Sequence, residues 1–467
     1  MSSTPSLRER AALLLGRASG VAARRLGRGG GTALPGIVAS AIAPRLVERL
    51  AAAPGHGVAT VTGTNGKTTT THLLAAILRA AGVEPLTNPS GSNLERGLIA
   101  AYTQEVDASG RLPDAERQIG LFEVDEAVLP RLFPRLRPRV AVFLNLFRDQ
   151  LDRYGEVDSV ADGWAAMLRL AAHAHTLILN ADDPAIALLA ESAHGPAVTF
   201  GVDDDAVALA RLDHASDARF CPCGSRFAYD AIYMGHVGRW RCPACGRARV
   251  VPTVSARRVE LRADGATIEA TIAGAPVTIV SPLAGLYSVY NVLAAAAAAH
   301  VLGVDAATIA AALAQAGPAF GRQERFTIGE RAARLLLAKN PAGLNEVLRA
   351  LTAGDAPLTV LAMLNDGVQD GRDVSWIYDA DVEVLAGRGV TLICSGDRAD
   401  DLALRCALAG VSPVAVITDT ERALDAALAR TASGERLDVV ATYTAMIDVR
   451  AALAKRAGVG AYWEGRA

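Results

Sequence analysis

The chain is poor in aromatic residues, at 5%, and holds only six cysteines in 467 positions. Six thiols at that length exclude a disulfide-stapled scaffold, so their placement matters more than their number. Neither sign of charge dominates: 47 Lys and Arg stand against 49 Asp and Glu, for a net charge of −2. That balance excludes a globally basic nucleic-acid binder, and 51% hydrophobic residues exclude a disordered chain. No run reaches the roughly 18 uninterrupted apolar residues of a membrane span. The alanine-rich stretch from Asn291 to Gly303 is short and is broken by His300. The N-terminal stretch carries Arg8, Arg10, Arg17, Arg24, Arg25 and Arg28 but no long apolar region leading to a cleavage site, which points to a cytoplasmic location. Its arginine spacing suits an amphipathic packing helix, and, as the alternative, a contact with the inner membrane face.

Length alone predicts about three domains. Apolar β-branched runs alternate with alanine- and leucine-rich helical patterns, the signature of βαβ units and a mostly parallel sheet. Strands are expected at Val58 to Thr62, Gln118 to Val124, Val140 to Asn145 and Leu177 to Asn180, with helices at Thr68 to Ala81 and Ala161 to Ala172. From Asp213 to Pro252 this rhythm breaks into a cysteine- and glycine-bearing stretch that reads as an insertion. Val259 to Val280 suits a hairpin turning at Ala273-Gly274. A helix follows at Tyr290 to Val301, then a Gly-Pro-rich link near Gly317 to Arg322. Leu358 to Leu364, Val390 to Ser395 and Val414 to Thr418 read as strands of a second α/β domain. The expected division is an N-terminal helical segment (1–50), a central nucleotide-binding domain (51–316) holding the insertion (213–252), and a C-terminal α/β domain (317–467).

Val58 to Thr62 runs into Gly63-Thr64-Asn65-Gly66-Lys67-Thr68-Thr69 and then a helix, the context a phosphate-binding loop requires. Backbone N–H groups at a helix start attract anionic oxygens, and the glycines let the backbone approach them. Lys67 would reach the β and γ phosphates of ATP and Thr68 would offer its hydroxyl to Mg²⁺. Val61 stands where the longer form of this loop has its first glycine, so the loop is a shortened relative. The plainer alternative is a glycine-rich strand-to-helix turn with a chance lysine. Glu123 ends a predicted strand, where ligands gather in open α/β sheets, and is the candidate magnesium ligand with Asp125 and Glu126 in support. Alternatively these acids cap the following helix.

Taken in order, the loop, the acidic run at Glu123, Asn180-Ala181-Asp182-Asp183-Pro184, Leu283-Ala284-Gly285 to Tyr290-Asn291, and Gly321-Arg322-Gln323-Glu324 resemble the motifs of the Mur ligase family. The resemblance implies a central P-loop-type ATPase domain followed by a C-terminal Rossmann-like α/β domain, and chemistry that couples ATP cleavage to amide formation through an acyl phosphate. Ordinary Mur ligases begin with a UDP-binding domain, for which the 57 residues ahead of Val58 are too few. Gln150 follows Asp149 where those ligases carry a histidine. With the cysteine insertion, Lys339-Asn340-Pro341-Ala342-Gly343 and the run from Asp370 to Asp379, the chain resembles the MurT subunit type of lipid II isoglutaminyl synthase. That implies amidation of the α-carboxylate of D-glutamate in the lipid II stem peptide, at the membrane surface, with ammonia from a GatD-type glutaminase subunit. It further implies that an aspartate of this chain completes the glutaminase Cys-His pair. Asp379 is preferred over Asp373 because it follows Trp376 and Tyr378, which could anchor a partner. By the same resemblance Asn291 faces the base, Arg322 a phosphate and Asp366 the ribose or the domain hinge, while Lys339 and Asn340 swing toward ATP on closure. Asn291 could equally cap a helix beginning near Val292. Rival functions are a Mur-type or folylpolyglutamate-type ligase adding an amino acid, and a nucleotide-gated scaffold.

Cys221-Pro222-Cys223 and Cys242-Pro243-Ala244-Cys245 are separated by 18 residues, close to zinc-ribbon spacing. A structural Zn²⁺ on the four thiolates is the expectation, although a single residue separates the first pair. Free buried thiols are the alternative. The insertion lacks a dense basic run, which disfavours nucleic acid, and Cys394 and Cys406 read as core residues.

Overall fold

The structure is a computed structural model that describes residues 5–25, 34–88, 93–107, 109–149, 157–210, 217–354 and 356–460. Val58–Thr62 (β1) is β-branched at four of five positions and buried throughout, as a strand covered on both faces must be. It lies inside a nine-stranded sheet with Glu84–Thr87 (β2), Gln118–Glu123 (β3), Val140–Phe143 (β4), Thr176–Asn180 (β5) and Ala197–Val202 (β6), all paired in parallel. Ala228–Met234 (β7) and Val237–Arg241 (β8) form a separate two-stranded hairpin within the inserted stretch. Val254–Arg262 (β9), Gly265–Ile272 (β10) and Ala275–Ser281 (β11) then extend the large sheet, whose order is β11-β10-β9-β6-β5-β4-β1-β3-β2.

The chain crosses from β3 to β4 on opposite sides of β1, so a crevice opens at the carboxyl ends of these three strands. One face of the sheet is covered by the helices Lys67–Ala80 and Leu286–Val301. The second of these is rich in alanine, which lets it lie close against both strands and helix. The other face packs against Leu129–Leu136, Val157–Leu170 and Glu95–Glu105, with Trp164 and Phe143 edge to face at 5.1 Å. Two N-terminal helices, Leu7–Arg25 and Leu34–Ile42, pack on each other and on Glu95–Glu105.

A second, six-stranded sheet holds Glu324–Ile328 (β12), Arg331–Leu337 (β13), Leu358–Met363 (β14), Val390–Ser395 (β15), Ala415–Val416 (β16) and Arg436–Ala441 (β17). Its order is β12-β13-β17-β14-β15-β16, parallel except for β12. Arg334 is buried across the junction of the two sheets. It pairs with Asp438 at 2.6 Å and donates to the Ala263 carbonyl at 2.9 Å.

Four elements differ from expectation, the first being the helix expected from Ala161, which starts four residues earlier, at Val157. The hairpin over 259–280 is the latter part of a three-strand meander with a further turn at 263–264, while Ala273 and Gly274 do turn with φ of 49° and 88°. The strand at 414–418 shrinks to two paired residues at the sheet edge. The helix expected from Tyr290 starts four residues earlier, at Leu286 behind Gly285, whose φ of 84° ends the preceding strand connection.

Candidate active site

The loop between β1 and the helix Lys67–Ala80 is held from below by the segment that follows β4. Asn145 accepts from the Asn65 N–H at 2.9 Å and donates back to its carbonyl at 3.0 Å, while Thr64 N–H donates to the Asn145 carbonyl at 3.0 Å. Thr64 Oγ1 exchanges hydrogen bonds with the Phe147 backbone. Gly63 and Gly66 adopt φ of 134° and 90°, and a Cβ on Gly66 would collide with the Asn291 amide. Asn291 lies more than a turn inside the helix Leu286–Val301 and accepts from Thr70 Oγ1 at 3.3 Å. It therefore sits against the loop and does not cap a helix.

The acids cluster on the adjacent strand end. Thr68 Oγ1 donates to Glu123 Oε2 at 2.8 Å, which puts two hard oxygen donors of the kind magnesium takes at one corner. Lys67 turns back on its own loop, donating to the Gly63 carbonyl at 2.5 Å, and pairs with Glu126 at 2.9 Å. Burial opposes the Lys67 charge, but Glu126, Glu123 and Asp125 outweigh it and hold the ammonium above its ordinary pKa. Burial likewise opposes the Glu126 carboxylate, and Lys67 with Lys339 outweighs it, so its pKa lies below the usual range. Sequence reasoning left Glu126 in a supporting place. Its role as the counter-charge of Lys67 depends on a backbone turn after β3 that the sequence pattern does not encode.

The second sheet supplies the opposite wall of a cavity of about 760 Å³, lined by the loop, Glu123, Asn291, Arg322, Lys339 and Tyr443 among others. Lys339 contacts Asp149, whose carboxyl is pushed up by burial against the pull of that lysine. Asp149 Oδ1 is buried without a hydrogen-bond partner. Asn340 caps the helix Pro341–Leu351 through Gly343 N–H at 2.8 Å and reaches Asn65 at 3.1 Å, tying the phosphate loop to the C-terminal sheet. Gln323 pins the connecting strap to Ala284, Tyr287 and Ser288 at the start of the helix Leu286–Val301. Arg322 beside it is lowered in pKa by burial, with Glu123 opposing. Nothing in the local sequence gives Asn145, Asp149 or Gln323 a structural role. Asn145 could have been singled out as a polar residue just past a parallel strand's carboxyl end.

Asp366, Asp373 and Asp379 are not among the cavity's lining residues. Asp366 pairs with Arg398 at 3.1 Å. Asp373 is exposed, and the Ser375 hydroxyl, with the Ser375 N–H donating at 2.8 Å, lowers its pKa. Asp379 is half-exposed at the end of a short 3₁₀ turn, Ser375–Asp379, and faces Arg148 at 3.5 Å. Arg148 also holds Asp217, at the start of the cysteine-bearing stretch, at 2.5 Å. Gln150 lies outside the described residues.

The four cysteine sulfurs of the insertion lie within 4.8 Å of one another, with Cys221 to Cys245 and Cys223 to Cys242 at 3.5 Å. Gly224 and Gly246, at φ of 88° and 77°, turn each knuckle. The Cys221 thiol is pushed up to about 12 by burial, and Cys242 is drawn down to about 6 by backbone amides from Cys245 and Ala244. Below the knuckles the hairpin is welded to the main domain. Trp240 donates to the Ala181 carbonyl, and Asp182 is buried under Arg249 at 2.5 Å, Tyr290 at 2.7 Å and Val202 N–H at 2.7 Å.

Comparison with known proteins agrees with this architecture. A Mur ligase middle domain family matches residues 61–235 and a MurT ligase C-terminal family matches 337–446. The chain is 33% identical over 451 residues to the lipid II isoglutaminyl synthase (glutamine-hydrolyzing) subunit MurT of Streptococcus pneumoniae, covering 95% of this chain and 96% of that protein. It is 30% identical to the same subunit of Staphylococcus aureus, covering 89% and 92%. Among solved structures, a pseudomurein peptide ligase type C from Methanothermus fervidus superposes with a TM-score of 0.64 at 23% identity, over 86% of this chain and 78% of that one, a likeness of fold.

Proposed function

The chain belongs to the MurT family of lipid II isoglutaminyl synthase subunits, and from that premise we propose that its cavity performs the ATP-dependent amidation of the D-glutamate α-carboxylate in the lipid II stem peptide. The observation that carries this reading is the two-sided cavity: the loop with Lys67, Thr68 and Glu123 on one side, and on the other Arg322 from the connecting strap and Lys339 from just past β13.

A carboxylate is a poor electrophile with a poor leaving group. Transfer of the γ-phosphoryl group of ATP to a carboxylate oxygen gives an acyl phosphate and ADP. Ammonia then attacks the carbonyl carbon, loses a proton and expels phosphate, leaving the amide. The chain's part is positioning and charge. Loop N–H groups and Lys67 would hold the phosphates, which requires Lys67 to exchange part of its hold on Glu126 for phosphate oxygens. Arg322, on the facing wall, would neutralise the transferred group. Lys339 and Asn340 tie the second sheet to Asp149 and Asn65 beside the phosphate loop. Thr68 and Glu123 suit Mg²⁺, which when bound there would offset charge between ATP and the substrate carboxylate.

Ammonia would come from a GatD-type glutaminase subunit, for which Asp379 is the preferred contributor to the partner's Cys-His pair over Asp373. Its partial exposure and its place beside Trp376 and Tyr378 support this. Asp366 would act through the Arg398 pair at the hinge, and Asn291 through the base of the loop. Cys221, Cys223, Cys242 and Cys245 fit a structural Zn²⁺: four sulfurs converge, two glycines turn the knuckles, and amides point at the Cys242 sulfur. When bound, the ion would lock the ribbon to the hairpin β7–β8. The work would take place at the cytoplasmic face of the membrane that carries lipid II. Co-expression with a glutaminase subunit, followed by mass measurement of the stem peptide, tests the reading. Conversion of carboxylate to amide is expected, and an unchanged stem peptide, or addition of an amino acid in place of ammonia, would overturn it.

A further inference from the structure

The helix Leu7–Arg25 shows two faces of opposite character. Its inward side is built of Ala12, Leu13, Gly16, Gly20 and Ala23, and it is so close to its neighbours that a Cβ on Gly16 would meet the Pro35 carbonyl at 2.7 Å. Between Leu7 and Ala23, every exposed side chain is apolar or an arginine. At 3.6 residues per turn the exposed apolar positions 7, 11, 14, 15, 18, 21 and 22 fall on one stripe, with Arg8 on one side of it and Arg17 on the other. Leu7 is 84% exposed, Leu14 50% and Leu15 53%, and Leu34 and Ile37 of the next helix also face outward. Glu9, the only acid of this helix, turns away to Ser6 and Arg49.

We propose that this face docks the chain on an anionic phospholipid surface, with the leucine stripe in the interface and the flanking arginines among lipid phosphates. An apolar stripe edged by guanidinium groups is the chemistry of an interfacial helix, which takes its affinity from apolar burial and from charge together. A purely apolar partner would leave Arg8 and Arg17 without counter-charge. The position agrees as well. Both N-terminal helices rest on Glu95–Glu105, whose first turn, with Asn93 and Arg96, lines the proposed ATP-site cavity. Docking there would hold that cavity close to the lipid plane. The inference extends the proposed function, whose substrate is lipid-linked, but it is tested without that substrate, so either can fail alone.

The test is flotation of the full chain with vesicles of phosphatidylglycerol and phosphatidylcholine, against vesicles of phosphatidylcholine alone. Binding to the anionic vesicles, weakened by salt, is expected. Leu14→Ser/Leu15→Ser should lower partitioning by about tenfold or more, and Arg8→Gln/Arg17→Gln should lower the preference for anionic vesicles by roughly tenfold. Circular dichroism reports whether each variant is folded. Should the serine pair unfold the segment, the arginine pair and the salt dependence decide. Absence of wild-type binding, or variants that bind as wild type, would overturn the proposal. So would a serine pair that instead changes the chain's oligomeric state or its affinity for the glutaminase subunit, since that would assign the face to protein.

Discussion

Replacing Lys67 with methionine keeps the length of the side chain and removes the charge that Glu126 depends on. The two side chains are 8% and 5% exposed and 2.9 Å apart. Removing one partner of a buried pair leaves an uncompensated charge, at a cost of about 3–5 kcal/mol. Lys339 also acts on Glu126, so the lower end, about 3 kcal/mol, is expected. The pH dependence gives the sharper test. In the wild type the Glu126 carboxyl is held below its ordinary pKa of 4.5, so its stabilising contribution is complete above that value and is lost as pH falls through the depressed one. In Lys67→Met the burial that Lys67 had outweighed pushes the same carboxyl upward. Protonation then relieves the defect, and the deficit of the variant should shrink between about pH 7 and pH 5. Lys67→Met/Glu126→Gln, which removes both charges, should recover about 2 kcal/mol or more of the loss. Urea unfolding of the wild type, Lys67→Met, Glu126→Gln and the double variant at two pH values measures all of this without reference to catalysis. A Lys67→Met midpoint equal to the wild type at pH 7, or an equal penalty with and without Glu126, would refute the reasoning.

Four further outcomes follow from the site. Gently purified chain should carry about one zinc for its four clustered thiols, and Cys223→Ser/Cys245→Ser should lose it together with thermal stability; less than half an equivalent by elemental analysis of the wild type counts against the ribbon. Asp379→Asn should abolish glutamine-dependent amidation while sparing activity with free ammonium, whereas loss of both or of neither sinks that assignment. Arg148→Gln breaks the half-exposed Asp379 pair, worth at most about 1 kcal/mol, together with the pair to the buried Asp217, so it should lower stability as well as the glutamine-dependent rate, the latter by no more than about fivefold. Lys339→Met should cost less stability than Lys67→Met, because Lys339 is partly exposed and only the second cation acting on Glu126, and burial already pushes its partner Asp149 toward the neutral form. It should lower ATP turnover by about a hundredfold, measured by phosphate release.

The parts of the fold visible in the sequence are those with local signatures. β1 and β15 fall where alternation and β-branching put them, and the phosphate loop was legible because strand, glycines, lysine and helix are contiguous. β17 had no expectation attached, although it lies inside the second sheet between β13 and β14. Its run Arg436–Ala441 carries Arg436 and Asp438, and that aspartate is buried only because Arg334, 104 residues away, meets it. The same holds for Asp182, whose partners Arg249 and Tyr290 come from distant elements. Polar residues satisfied by such partners read as surface in any local window.

The segment from Leu144 to Asp149 shows what such long-range pairing achieves. Within six residues Asn145 shapes the phosphate loop, Leu146 N–H binds Asp183, Phe147 exchanges bonds with Thr64, Arg148 joins Asp217 to Asp379, and Asp149 meets Lys339. The phosphate loop, the cysteine-bearing insertion and the C-terminal sheet are thus gripped by one short strap. A packed, hydrogen-bonded strap does not deform by parts, so any shift of Thr64 and Asn65 would be passed to Arg148 and Lys339 together. Among these contacts the Arg148–Asp379 pair is the longest, at 3.5 Å, and both side chains are partly open to solvent. It is therefore the contact a partner subunit can take over at least cost, and the point at which the state of the ATP site would be read from outside.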